Sequence, residues 1–193
     1  MSKAIVIYTS KRGSTKQYAE WIAEDLGCSA LTLDEAKKQD VNLYEYDCII
    51  YGGWIRGSGI VDFDKFAKWL DDELMQRLIV YGVGFADETA DNYAQVWGYS
   101  IGRLDPHNEN RSILYILGGR YEPANVKGMD KAMMKVMRTV LLSGSTPDAK
   151  MQADKIRERI DNGVDMVRRE NIASLVKDAR KKLEAQQEDK GGE

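Results

Sequence analysis

The stretch Ala4-Ile5-Val6-Ile7-Tyr8-Thr9-Ser10-Lys11-Arg12-Gly13-Ser14-Thr15 opens apolar and empties into a short, basic, hydroxyl-rich loop. A continuous apolar run suits a central parallel strand covered on both faces rather than a strand with one wet side. Gly13 and the hydroxyls of Thr9, Ser10, Ser14 and Thr15 let the backbone curl its N–H groups toward one point. From about Ser14 to Leu26 the pattern is helical, with Tyr18, Ile22 and Leu26 one turn apart and Gly27 as the stop. Such a helix presents unsatisfied N–H donors and partial positive charge to the loop, a geometry that captures a phosphate dianion.

Working outward, strands are expected at about 3–8, 30–33, 47–52, 78–83 and 112–118, alternating with helical segments. This order predicts an α/β fold: a doubly wound, five-stranded parallel sheet of order 2-1-3-4-5 with helices on both faces. A third helix is expected from Asp62 to Leu74, burying Phe63, Phe66, Ala67 and Leu70, and a fourth from Ala90 to Ile101, grouping Tyr93, Val96, Trp97 and Ile101. Residues 1–147 read as the domain that carries the site, and 148–193 as an added C-terminal helical extension. In that extension Ile172, Leu175, Val176, Ala179 and Leu183 recur at helical spacing, and a frayed tail is expected from Gln186.

In this topology a ligand lies above the carboxyl ends of strands one and three, where the connections diverge. Two further loops should meet the phosphate loop there. The second, Gly52-Gly53-Trp54-Ile55-Arg56-Gly57-Ser58-Gly59, holds four glycines in eight residues, which permit positive backbone angles and close approach of main chain to a flat ring. The third begins Gly82-Val83-Gly84-Phe85-Ala86. Trp54 reads either as a ring contact or as an aromatic packed on a neighbouring helix, and Phe85 either as a cover or as an anchor for its loop. Thr89 suits a helix cap.

Tyr8, Ser10, Gly13, Thr15 and Ala19 fall at the spacing of the FMN-phosphate loop of the flavodoxin family, which the chain resembles. The resemblance implies noncovalent FMN, its phosphate held by Thr9, Ser10, Lys11, Arg12, Gly13, Ser14 and Thr15. It implies that the ring is held by Gly53, Trp54, Ile55, Arg56, Gly57 and Ser58 on one side and by Gly84, Phe85 and Ala86 on the other. In such proteins a peptide of the second loop turns to accept a hydrogen bond from the reduced ring, and Ile55-Arg56-Gly57 is the candidate. The family usually has threonine where Arg12 stands; Lys11 and Arg12 either favour the reduced, anionic flavin and raise its potential or lie in water. Farther along, Gly118-Gly119-Arg120-Tyr121-Glu122-Pro123, a helix containing Met129, Met133, Met134 and Met137, and the segment Ser143-Gly144-Ser145-Thr146-Pro147-Asp148 resemble the branch that includes menaquinone-dependent protoporphyrinogen oxidase. The methionines suit either core or a substrate groove.

Composition narrows the field. A net charge of −3 and the lack of a basic stripe interleaved with aromatics argue against nucleic acid as a partner. No G-x-x-x-x-G-K-[ST] or G-x-G-x-x-G follows the first strand, which disfavours nucleotide hydrolysis and dinucleotide binding. A phosphoacceptor receiver of this topology needs acids where Thr9, Ser10, Gly52 and Gly53 stand. Cys28 and Cys48 read as reduced, buried thiols of a cytoplasmic protein without a signal peptide or membrane segment, and a single His107 offers no metal set. The reading is therefore a flavin electron-transfer protein, with a redox protein or a small-molecule or quinone acceptor as partner and a homodimer left open. An FMN-dependent oxidoreductase of the protoporphyrinogen oxidase type and a flavin-free interaction module are the alternatives. None of these requires a catalytic acid, base or nucleophile from the chain, because the chemistry resides in the cofactor.

Overall fold

In the computed structural model, residues 3–87, 89–140 and 147–191 are described. Five parallel strands form the sheet: β1 (Ala4–Tyr8), β2 (Ser29–Thr32), β3 (Cys48–Arg56), β5 (Leu78–Gly84) and β6 (Ile113–Gly118), in the order β2-β1-β3-β5-β6. That is the expected 2-1-3-4-5 arrangement, with the short β4 (Gly59–Ile60) added beside β3.

The apolar strands sort their side chains by the two-residue period onto two cores. Val6, Tyr8, Cys48, Ile50, Ile79, Tyr81 and Val83 face α1 (Ser14–Leu26) and α8 (Ala173–Gly191), meeting Tyr18, Ile22, Ile172, Leu175, Val176 and Ala179. Ile5, Ile7, Ile49, Tyr51, Leu78 and Val80 face α2 (Leu33–Lys38), α3 (Phe63–Phe66), α4 (Asp72–Gln76) and α5 (Ala90–Gly98). Every β1 residue is buried, as a strand covered on both faces requires. The C-terminal helix thus fills one side of the central sheet together with α1, and Arg169 fastens its approach by ion pairs to Glu24 and Asp25.

Three expectations need correction. First, the stretch 52–59 is not an open loop. β3 continues to Arg56 and returns through Gly57 and Ser58 as β4, pairing Ile55 with Ile60 and Arg56 with Gly59. Gly52 and Gly53 serve close packing inside the strand: a Cβ on Gly52 would lie 2.0 Å from the Tyr81 ring, and one on Gly53 2.6 Å from Ile60. Of the four glycines only Gly57, with φ +63°, has the positive backbone angle.

Second, the helix expected over Asp62–Leu74 is broken into α3, a 3-10 turn at Ala67–Trp69, and α4. Leu70 is extended, and the Asp71 side chain accepts from the Leu74 N–H to start a new helix. Apolar spacing survives such a break because both pieces face the same core. Third, α5 stops at Gly98, and Ile101 belongs to a separate 3-10 turn, Ile101–Arg103. The Ser100 hydroxyl donates back to the Val96 carbonyl at 2.5 Å and competes with continuation of the helix.

Past β6 the chain makes an excursion through β7 (Arg120–Tyr121), α6 (Gly128–Val140), α7 (Pro147–Asn162) and β8 (Val164–Asp165). β7 and β8 pair antiparallel, Arg120 opposite Asp165 and Tyr121 opposite Val164, which closes the base of the excursion. Ser143 to Thr146, the side chains of Met129, Met133 and Met137, the side chains from Gln186 onward, and the last two residues of the tail lie outside the described residues. Among the described residues no helix is long and apolar enough to cross a membrane.

Candidate functional site

β1 delivers the chain into the loop at residues 9–13, and Gly13, at φ +94°, turns it into α1. The Ser10 hydroxyl sits where the helix donors converge, accepting from the N–H of Gly13 at 3.2 Å and of Lys16 at 3.3 Å. The first turn of α1 carries no acid, so the partial positive charge of its N-terminus is not offset there. Behind the loop, Thr15 is buried and its carbonyl accepts from the Tyr81 hydroxyl at 3.2 Å. Thr9 is tied inward: its N–H donates to the Gly52 carbonyl at 2.8 Å, and its hydroxyl lies 3.3 Å from that of Tyr51. Burial pushes the Tyr51 and Tyr81 phenols up, and both stay neutral hydrogen-bonding struts.

The three expected segments do converge. Lys11, Arg12, Ser14 and Thr15, then Trp54, Ile55 and Arg56, then Gly84 and Phe85 line one cleft at the carboxyl end of the sheet. The cleft is open to solvent at its mouth. Thr9, Ser10, Gly13, Gly53, Gly57, Ser58 and Ala86 are not on its wall. Gly13 and Ser14 edge a second, shallower hollow with Lys16, Gln17 and Glu20. Gly53 is inside β3; Gly57 and Ser58 form the hairpin turn, and the Ser58 hydroxyl donates to Gln95 Oε1 at 3.0 Å.

Each wall has a local cause. Ile55 leans over the β5 glycines, so that a Cβ on Gly82 would lie 2.9 Å from its Cγ1 and one on Gly84 3.3 Å from its Cδ1. Gly84 also accepts from the Gly119 N–H at 2.5 Å. Phe85 packs against Tyr121, ring centroids 5.2 Å apart, in a satellite core with Val126, Met134 and Ile160. Its carbonyl accepts from Arg159 of α7 at 2.6 Å, and Arg159 also pairs with Asp87 at 2.5 Å. With Lys155 on its other oxygen, Asp87 is held below the usual carboxylate range, chiefly by the Arg159 hydrogen bond.

A fourth wall lies outside the three expected segments. Gly119, Arg120, Tyr121 and Met134 also line the cleft. The Arg120 N–H donates to the Ser14 hydroxyl at 3.2 Å, joining β7 to the first loop, and the Arg12 guanidinium lies 6.0 Å from the Tyr121 ring centroid. Burial raises the Tyr121 phenol while Arg12 opposes that shift. The available signal was the Gly118-Gly119 pair at the carboxyl end of a strand beside β5, the edge on which this topology places ligands.

The walls carry four cations, Lys11, Arg12, Arg56 and Arg120, and no acid. A phosphate-bearing planar ligand fits this combination of helix donors, basic side chains and aromatic walls. No cluster of metal-ligating side chains occurs among the described residues.

Comparison with known proteins places the chain. The flavodoxin domain family model matches residues 5–146. The Trp repressor binding protein from Bacillus subtilis is 14% identical, with a TM-score of 0.44 over 81% of this chain and 96% of that one. A flavodoxin from the domain Archaea is 17% identical, with a TM-score of 0.41 over 83% and 99%. The flavodiiron protein from Giardia intestinalis is 14% identical, with a TM-score of 0.40 over 95% of this chain and 37% of that one. No curated protein matches the sequence.

Proposed function

The chain belongs to the flavodoxin domain family, and on that premise we propose that it is a redox protein with noncovalently bound FMN in the cleft at the carboxyl end of its sheet. The observation that carries this reading is the meeting of an acid-free helix N-terminus with two strand ends and two aromatic walls in one cleft. The loop Thr9–Thr15, with Ser10 and the N–H groups of Gly13 and Lys16 at its centre, would hold the phosphate. Trp54 to Arg56 and Gly84 to Phe85 would hold the ring, with Tyr121 as a further wall. FMN, when bound, supplies reversible electron transfer.

The chain's own work is to bind, orient and tune. Tyr81 and Tyr51 brace the two strand ends, Arg159 fixes the third segment, and Lys11 and Arg12 place positive charge by the phosphate. Positive charge near the ring favours its anionic reduced form. A redox protein or a small-molecule acceptor would complete the reaction, and Met134 on the wall supports a small-molecule, quinone-type acceptor as the second reading.

The test is to add FMN, remove the excess and record the visible spectrum. Retained two-band absorbance, with FMN held more tightly than riboflavin and lost in Gly13→Leu, is the expected result. A colourless wild-type chain overturns the reading and leaves the flavin-free interaction module.

A further inference from the structure

The four cations of the cleft are not equivalent. Arg12 stands over the Tyr121 ring and Arg120 pairs with Asp165 at 2.8 Å. Lys11, Arg12 and Ser14 belong to the phosphate loop, which begins level with Gly52, the residue paired with Tyr8. Arg56 lies four residues farther along β3, roughly 13 Å in the strand direction. It is exposed at the end of the strand, and among the described residues no ion pair engages it. Its neighbours on the cleft wall are Trp54 and Ile55, with Phe85, Tyr121 and Met134 also lining the cleft.

From this placement we infer that Arg56 anchors the second reactant, a small planar organic anion such as a ring bearing a carboxylate or sulfonate. This deepens the flavin reading and rests on it. The phosphate loop has its own donors and cations for the cofactor, whereas Arg56 is set apart at the mouth. A concave cleft with aromatic walls suits a ring rather than the convex face of a protein. The guanidinium can donate a charge-assisted hydrogen bond, and the missing acids mean that no carboxylate on the walls repels an incoming anion. The chain as a whole carries −3, so the cationic mouth is a local arrangement, not a consequence of composition.

The experiment is calorimetric titration of the FMN-loaded chain with 2-naphthalenesulfonate and with neutral 2-naphthol, for wild type, Arg56→Gln and Arg56→Lys. The sulfonate is expected to bind wild type at least about tenfold more tightly than the naphthol, the scale of one charge-assisted hydrogen bond. In the FMN-loaded variants, Arg56→Gln should lower sulfonate affinity about tenfold relative to naphthol affinity and be partly rescued by Arg56→Lys. Equal binding of the two probes, sulfonate binding indifferent to Arg56, or binding of neither probe, as for a site that takes only an acidic protein, overturns the proposal. If the wild type fails to retain FMN, the flavin reading fails on that observation alone. The same titrations on the unloaded chain in phosphate buffer, which supplies an anion for the loop, then decide the role of Arg56 separately.

Discussion

The Tyr18 hydroxyl donates to the Gly118 carbonyl at 2.6 Å, joining the first helix to the end of the last parallel strand across one hundred residues. The same oxygen accepts from Asn171 Nδ2 at 2.7 Å, and Asn171 also donates to the Met166 carbonyl at 2.9 Å. One fully buried tyrosine therefore ties α1, the end of β6 next to the fourth wall and the approach to α8. Tyr18→Phe keeps the ring but leaves the Gly118 carbonyl and the Asn171 amide short of a partner, which should cost about 1–3 kcal/mol. Urea unfolding checks this, and an unchanged midpoint would remove the hub role.

Gly52 and Gly57 should respond differently to alanine. Gly52→Ala drives a methyl into the Tyr81 ring and should destabilise by about 3 kcal/mol or more, whereas Gly57→Ala meets open space and pays only for its left-handed backbone, about 1 kcal/mol. The double variant Gly52→Ala with Tyr81→Leu should recover part of the loss. Additive effects of the two substitutions would show that the contact is not the cause.

Arg159 should control how firmly the third segment is held. Arg159→Gln frees the Phe85 carbonyl and Asp87, and FMN release measured by stopped-flow displacement should quicken about tenfold. Release at the wild-type rate would make the contact incidental.

The Asp87 pair also predicts a pH dependence with a definite sign. Its folded pKa is depressed, so the contribution is complete above the ordinary carboxylate pKa and is lost as pH falls through the lower folded value. Denaturant unfolding between pH 7 and pH 3 should show part of this acid loss in the wild type and less of it in Asp87→Asn. Identical acid limbs would assign the loss to other carboxylates.

Thiol reactivity tests the core directly. Burial pushes Cys28 up to about 11 and Cys48 up to about 12, so neither carries appreciable thiolate near neutrality. Iodoacetamide at pH 8 should label Cys48 only in denaturant and the half-buried Cys28 slowly in the native chain. Rapid native labelling of Cys48 would contradict its place in the sheet.

Local chemistry in the sequence determined the strands, the helix that follows Gly13 and the three segments that converge on the cleft. The run Ala4–Tyr8 requires cover on both faces, and Gly13 before the helical pattern at Ser14 makes a turn into a helix N-terminus wherever it occurs. Only the tertiary structure decided what the glycines of 52–59 are for, because a glycine signals a missing Cβ and not whether the space goes to a turn or to a neighbour such as Tyr81. It alone brought Tyr121 and Met134 to the cleft and Arg159 to the Phe85 carbonyl. Those residues lie on an excursion whose return is fixed by the β7–β8 pairing, and pairing across more than forty residues leaves no periodic trace in the chain.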